Sequence, residues 1–337
     1  MAQTFKELGS DNIASTRTLL HENVPVTGTI VSGSTYSGDN IKDYSHGMFQ
    51  SVYDYPYLSS SANHLFDLTC GYKSGSASNT QNSKKQNIYG QMAQVLVGND
   101  ALGNIREFDR DGDLSEGPYI SEAYFINLAR LLTKDELKKG TFTLTLGNGA
   151  TYSDPFSTTD LVITDTNADT SYKTNSPAGE YGILYTSSVD IVEGSGVGLL
   201  YYQAGVAVLS SSVFDGLQMN GAAETAEQML AGSEISSSAD AVRHRFYNLS
   251  FNNTIELNST IYFCNANHNE FNYSANPTYL TASKIRVKEN AIDAPSSYIT
   301  SVGLYSATHE LLAVAKLSEP LKKDPATTLT LRVRLDY

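Results

Sequence analysis

Thr328-Leu329-Thr330-Leu331-Arg332-Val333-Arg334-Leu335-Asp336-Tyr337 reads as a strand with two unlike faces. Leu329, Leu331, Val333, Leu335 and Tyr337 fall on one side, and Thr328, Thr330, Arg332, Arg334 and Asp336 on the other. Successive side chains of a strand point to opposite faces, so period two with one apolar side predicts a half-buried sheet. The segments before it, from Tyr262 onward, repeat the pattern. Ile285 and Val287 alternate with Lys284, Arg286 and Lys288. Tyr298 to Tyr305 and Leu311 to Leu317 are two further runs, separated by the polar turn Ser306-Ala307-Thr308-His309-Glu310. The expected core here is Leu312, Val314, Leu331 and Val333. Ending on so regular a strand predicts a C-terminus held in a core.

At 337 residues the chain can bury a sizeable core in two or three domains. It carries 36 acidic and 23 basic residues, a net charge of −13. That argues against nucleic acid or an anionic membrane surface as partner. No run of 18 apolar residues occurs, so no membrane span is expected. Met1 to Glu22 is polar and has no apolar h-region, so no signal peptide is expected. The two cysteines, Cys70 and Cys264, read as thiols made in a reducing cytoplasm. With 22 Tyr, 12 Phe, no Trp and many Ser, Thr, Asn and Gly, strands and turns are favoured over helices.

Residues 1–45 read as a polar arm with one β-like piece, Val24 to Val31, that needs a partner to order it. His64 to Tyr72 reads as a strand. Lys84 to Val97 is the best helix, with Ile88, Met92, Val95 and Leu96 as its stripe, Ser83 as its cap and Gly98 as its C′ residue. Tyr124 to Leu132 is apolar but ambiguous between strand and helix. Lys134 to Lys139 reads as a helical turn ended by Gly140. Strands are expected at Thr141 to Leu146, Leu161 to Ile163, Gly182 to Tyr185, Val197 to Tyr202 and Val206 to Leu209. Gly147-Asn148-Gly149 reads as a hairpin turn and Gln203-Ala204-Gly205 as a hairpin loop. Helices are expected at Ala222 to Leu230, closed by Gly232, and at Ala239 to Tyr247, capped by Ser238.

The sharpest chemical signal is Glu107-Phe108-Asp109-Arg110-Asp111-Gly112-Asp113. Carboxylates at alternate positions, with a glycine after the third, can wrap a hard cation, so Glu107, Asp109, Asp111 and Asp113 are a calcium candidate. The match to an EF-hand loop then fails, because Pro118 stands where a bidentate Glu is needed. A solvated acidic turn is the competing reading. Asn267-His268-Asn269-Glu270 contains H-x-E but no P-C-x-x-C follows, so deaminase chemistry is set aside. Gly194-Ser195-Gly196-Val197-Gly198 lacks the Gly-Lys-Ser/Thr ending of a phosphate loop. No G-x-S-x-G elbow occurs. No catalytic residue or cofactor is expected. Contact candidates are Tyr53, Tyr55 and Tyr57, since tyrosine gives a large contact area at low entropy cost, and the basic turn at Lys322 and Lys323.

A family resemblance adds to this. Glu270-Phe271-Asn272-Tyr273-Ser274-Ala275-Asn276-Pro277-Thr278-Tyr279 resembles a segment of structural proteins of tailed bacteriophages, mainly marine contractile-tailed phages, cyanophages among them. Tyr298 to Tyr305, Glu310-Leu311-Leu312-Ala313-Val314-Ala315-Lys316-Leu317 and Pro320-Leu321-Lys322-Lys323 resemble the same proteins. Asn87 to Gln94 and Leu132 to Phe142 look similar to other parts of them, so the resemblance covers most of residues 50–337. The Glu310 to Leu317 run also resembles collar-type tail-fibre attachment modules. What the resemblance implies is a non-enzymatic virion component of the tail or baseplate. It would be assembled in the host bacterial cytoplasm and pack against copies of itself and other phage structural proteins as a symmetric homo-oligomer.

The resulting expectation is a mainly β (α+β) protein of antiparallel sheets or a sandwich with a few short helices. Its segments would be an extended arm at 1–45, a main β-rich domain from 46–120 plus 216–337, and an inserted β domain at 121–215. Two alternatives stay open: a neck or capsid-surface protein, and a receptor-binding or capsule-degrading tail protein with exposed Tyr and carboxylates at a carbohydrate site.

Overall fold

Strands form where the sequence alternates. The computed structural model describes residues 5–26, 40–73, 81–114, 117–186, 194–274, 276–282, 284–285, 288, 290 and 292–337. In chain order they form β1 (Ile13–Val26), β2 (Ile41–Asp43), β3 (Gln50–Tyr53), β4 (His64–Tyr72) and α1 (Asn82–Leu96). Then come β5 (Phe108–Asp109), β6 (Tyr119–Ile120), β7 (Glu122–Leu128), α2 (Arg130–Thr133), β8 (Glu136–Leu137), β9 (Thr143–Leu146) and β10 (Leu161–Thr164). Next are α3 (Ala168–Ser171), β11 (Tyr181–Thr186), β12 (Gly198–Tyr201), β13 (Val206–Ser210), α4 (Ala226–Gly232) and α5 (Ile235–Arg243). Last are β14 (Phe246–Ala266), β15 (Leu280–Thr281), β16 (Lys284–Ile285), β17 (Ser297–Tyr305), β18 (Leu311–Lys323) and β19 (Leu329–Asp336). The protein is mainly β, with a large antiparallel sheet of 13 strands and smaller sheets.

The chain divides into two compact units, Leu20–Ile255 and Met1–Leu19 with Glu256–Tyr337. In the larger, the strand order is β14, β9, β10, β11, β12, β13, β7, β4, β3, β2. These boundaries differ from those expected. The strands of 121–215 share a sheet with β4, through pairs from Phe66↔Leu128 to Tyr72↔Glu122, and do not stand apart as an insertion. Nor are residues 1–45 simply an arm: β1 neighbours β14. Of Val24 to Val31, the first three residues lie in β1 and the rest lie outside the described residues.

The core of the larger unit is aromatic. Phe66, Tyr89, Phe108, Tyr124, Phe125, Tyr201, Tyr202 and Phe246 are all buried. Helix α1 turns Lys85, Ile88, Tyr89, Ala93 and Leu96 inward. The expected stripe was therefore one position off at one point: Val95 is exposed, and a lysine takes a core position. Gln81, not Ser83, precedes the helix, with no side-chain cap, while Gly98 follows it at φ +85°, as expected of a C′ glycine.

Two buried cations fasten chain turns instead of pairing with carboxylates. Lys85 Nζ donates to the carbonyls of Leu230 and Ser233, both at 2.5 Å, closing the C-terminal end of α4, where unpaired carbonyls collect negative partial charge. Arg245 donates to the carbonyls of Gly147 (3.0 Å), Gly149 (2.8 Å) and Gln218 (2.7 Å). Gly147 to Gly149 is thus not a tight hairpin turn but the start of a long loop between β9 and β10, in which the Gly149 amide donates to the Pro155 carbonyl.

Other expectations shift in type. The ambiguous run at Tyr124 is strand β7 and then the short α2. Lys134 to Lys139 is not helical, since Lys134 has φ +51° and Glu136–Leu137 pair with β14. Helix α4 begins with a capping box at Thr225 and Gln228. Helix α5 starts at Ile235, so Ser238 lies inside it, its hydroxyl donating to the carbonyls of Glu234 and Met229. Cys70 and Cys264 are both free thiols, and burial pushes Cys70 up to about 11. No helix among the described residues is long and apolar enough to cross a membrane.

In the smaller unit, β14 pairs with β19 without interruption from Ser259↔Asp336 to Ala266↔Leu329. The alternation of the closing strand holds as far as Leu335: Val333 is buried, Leu329, Leu331 and Leu335 are half-buried, and Arg332 and Arg334 are exposed, but Tyr337, expected on the covered face, is 75% exposed beyond the strand's end.

Candidate assembly surface

The smaller unit also carries a β-ribbon, β17 paired with β18, and no third strand joins it among the described residues. Its register steps from Ile299↔Leu321 to Ser301↔Lys316, so Leu317-Ser318-Glu319-Pro320 bulges out opposite Thr300. Proline has no N–H to give to a ladder, and the bulge is where it does no harm. At the far end Ser306 to Glu310 closes the turn, as expected, with Ser306 N–H donating to the Glu310 carbonyl.

No residue from Tyr298 to Lys322 is buried. Leu312 is 68% exposed and Val314 54%. Both were expected in the core, and the structure corrects this. Alternation told which residues share a face, but among the described residues no second layer covers it. Tyr298, Tyr305, Leu311 and Leu321 are also exposed, and Val302 and Leu304, on the same side as Tyr298, are half-exposed. A two-stranded ribbon is at best marginal alone in water, and one apolar on both sides loses burial energy unless covered.

The base of the ribbon is fixed. Lys323 is fully buried, and its ammonium donates to Asn272 Oδ1 (2.7 Å) and to the carbonyls of Asp324 (3.0 Å) and His268 (3.3 Å). Ser297 Oγ donates to the Phe271 carbonyl, and Tyr279 O–H to that of Ser296 at 2.7 Å. Lys323 is therefore an internal anchor, not the contact cation expected of it, whereas Lys322 is exposed beside Asp324. At the tip, Phe5 stacks on His309 with centroids 4.4 Å apart and meets Tyr305 edge-on at 4.8 Å. The remaining contact candidates lie in the larger unit. Tyr53 is half-buried against Tyr57 and His64, while Tyr55 and Tyr57 are exposed.

The acidic loop is only partly what the spacing promised. Asp109, Asp111 and Asp113 each bring a carboxylate oxygen within 4.8 Å of the others, the donor chemistry a hard cation takes. Glu107 is not among them: it pairs with Lys73 and accepts from Ser121. The loop also closes on its own amides. Asp109 accepts from Leu114 N–H (2.7 Å) and Asp111 from Asp113 N–H (3.2 Å). The Gly112 carbonyl is already taken by Tyr181 O–H and Asn175 Nδ2. Burial pushes Asp109 up to about 6, with the neighbouring Asp111 carboxylate adding to the shift. Sequence missed Lys85, Arg245 and Lys323 as buried cations, because a basic residue carries no signal of which way its side chain turns.

No protein-family model matches the chain, and neither does any curated protein or any solved structure.

Proposed function

We propose that this chain is a structural assembly protein of a bacteriophage particle, of the tail or baseplate, that acts by packing against copies of itself and other virion proteins and not by catalysis. The observation that carries the assembly role is the ribbon from Tyr298 to Lys322, apolar on both sides and buried on neither. The resemblance of its residues to phage structural proteins carries the setting.

A second copy of this chain is the partner we take the ribbon to meet, and the charges do not oppose it. The ribbon exposes Lys316 and Lys322 beside Glu310 and Glu319, so its own charge balances to zero in a chain whose net charge is −13. It therefore meets an acidic surface without like-charge repulsion. Light scattering on the purified chain tests this. An oligomer that becomes monomeric in Leu312→Lys/Val314→Lys, with unchanged circular dichroism, supports the reading. A monomer at high concentration, or an oligomer indifferent to both changes, overturns self-assembly through the ribbon. Cryo-electron microscopy of the particle then tests the tail or baseplate position.

A further inference from the structure

We propose that a cleft in the larger unit binds an uncharged polyhydroxylated ring, a neutral carbohydrate. The cleft is independent of the ribbon and has a volume of about 430 Å³, within the usual range of small-ligand sites, roughly 300–1,000 Å³. Its walls come from the segment after β2, from the start of α1 and from α5, and include Asp43, Tyr44, His46, Phe49, Lys84 and Glu234.

One wall carries a cluster of three rings. Tyr44 and His46 lie nearly parallel, 7° apart with centroids at 5.1 Å, and Phe49 closes on both at 4.8 and 5.0 Å. None of the three is buried. The C–H face of a pyranose is apolar and flat; the Tyr44 ring already carries the Lys42 ammonium 4.9 Å from its centroid, which leaves the His46 and Phe49 rings to meet such a face.

The opposite chemistry is held in place before any ligand arrives. Gln50, almost fully buried, donates through one amide nitrogen to Asp43 Oδ1 (2.7 Å) and to Asp240 Oδ1 (3.0 Å), tying β2 to α5. Arg243 donates to the same Asp240 oxygen at 2.7 Å. Lys84 Nζ donates to the His46 carbonyl at 2.8 Å and so fixes the loop that carries the rings. Groups fixed in this way cost little further ordering on binding.

The mixture of signs selects the ligand class. A phosphate or other anion would face Asp43, Glu234 and Asp240. A compact cation would share the cleft with the Lys84 ammonium, and Asp240 is already compensated by Arg243. A hydroxyl both donates and accepts, so a polyol can use the carboxylates and the ammonium at once.

The test is saturation-transfer NMR on the full chain with glucose, galactose, N-acetylglucosamine and their short oligomers at roughly 10 mM, beside putrescine, with inorganic phosphate followed by its 31P line width. Saturation of sugar ring protons only is the expected result. Phe49→Ala and Glu234→Gln should each weaken the dissociation constant by about tenfold. Glu234 is exposed, so its change leaves folding intact. The proposal is overturned if none of the sugars binds, if both variants bind as the wild type does, or if putrescine or phosphate binds and sugars do not.

Discussion

The backbone carbonyl of Lys85 occupies the space that a side chain on Gly71 would need: a Cβ there would stand 2.5 Å from that oxygen and 2.9 Å from the Tyr89 nitrogen. Helix α1 thus lies directly on the backbone of β4, at a separation only glycine permits. Gly71→Ala must push helix and strand apart and is expected to cost roughly 1–3 kcal/mol. Urea unfolding of the variant checks this. A loss within experimental error would mean that α1 can slide.

Lys85 itself closes α4, and the Leu230 and Ser233 carbonyls would lose its ammonium in Lys85→Met. The expected destabilisation is about 1–3 kcal/mol, because buried acceptors left unpaired cost their desolvation. The methionine fills most of the same volume, so a larger loss would point to packing and not to the cap. Denaturant midpoints for Lys85→Met and Lys85→Arg separate the two.

On the closing strand, the depth of burial should order the cost of a charge. Val333→Asp places a carboxylate at a buried site and is expected to cost about 3 kcal/mol or more. Leu331→Asp, at a half-buried site two residues away, should cost about 1 kcal/mol. Equal losses would show that the face is covered differently in solution.

Asp109 gives a pH dependence with a definite sign. Its carboxyl titrates at about 6 in the fold, raised from 3.8 by burial. Between those values the folded state binds more protons than the unfolded state. The stability this group supplies is therefore full below about pH 4 and is lost as the pH rises through 6. Asp109→Asn removes that dependence. With chelator present, the variant should gain on the wild type from pH 4 to 6 and hold a constant lead above. A difference curve flat across this range would remove Asp109 as a titrating group.

Lys323→Met frees the base of the ribbon, leaving Asn272 Oδ1 without its donor. Amide exchange in β17 and β18 is expected to speed up by about tenfold or more, while β4 and β7 keep their protection. Uniform acceleration through both units would instead report global destabilisation.

The mainly β class was legible because period two is written along β4, β9 and β19 in hydrophobic residues. Phe142, Leu144 and Leu146 are buried as their spacing required. What alternation could not tell is what lies against a face. The ribbon and β19 have the same pattern, yet Val314 is exposed and Val333 buried. The helix stripe failed at Val95 because a hydrophobic tally passes over Lys85, whose ammonium is satisfied by carbonyls. The acidic loop was legible as three alternating aspartates. Glu107 continues the alternation but faces Lys73, which sequence places far away. The cleft beside Tyr44 was not legible, because Gln50 joins Asp43 to Asp240 across nearly two hundred residues.

The pairing order has a consequence during synthesis. Strand β9 takes β14 as one of its two neighbours, with Leu144 opposite Leu249. At a translation rate of about 5–20 residues per second, Leu249 leaves the ribosome roughly 5–20 s after Leu144. For that interval one edge of β9 has no partner to meet, and β1, which also neighbours β14, waits longer still. A nascent chain with open strand edges for seconds is open to wrong pairing for that time. The time during which this protein is most exposed to wrong pairing is therefore before its own last hundred residues exist.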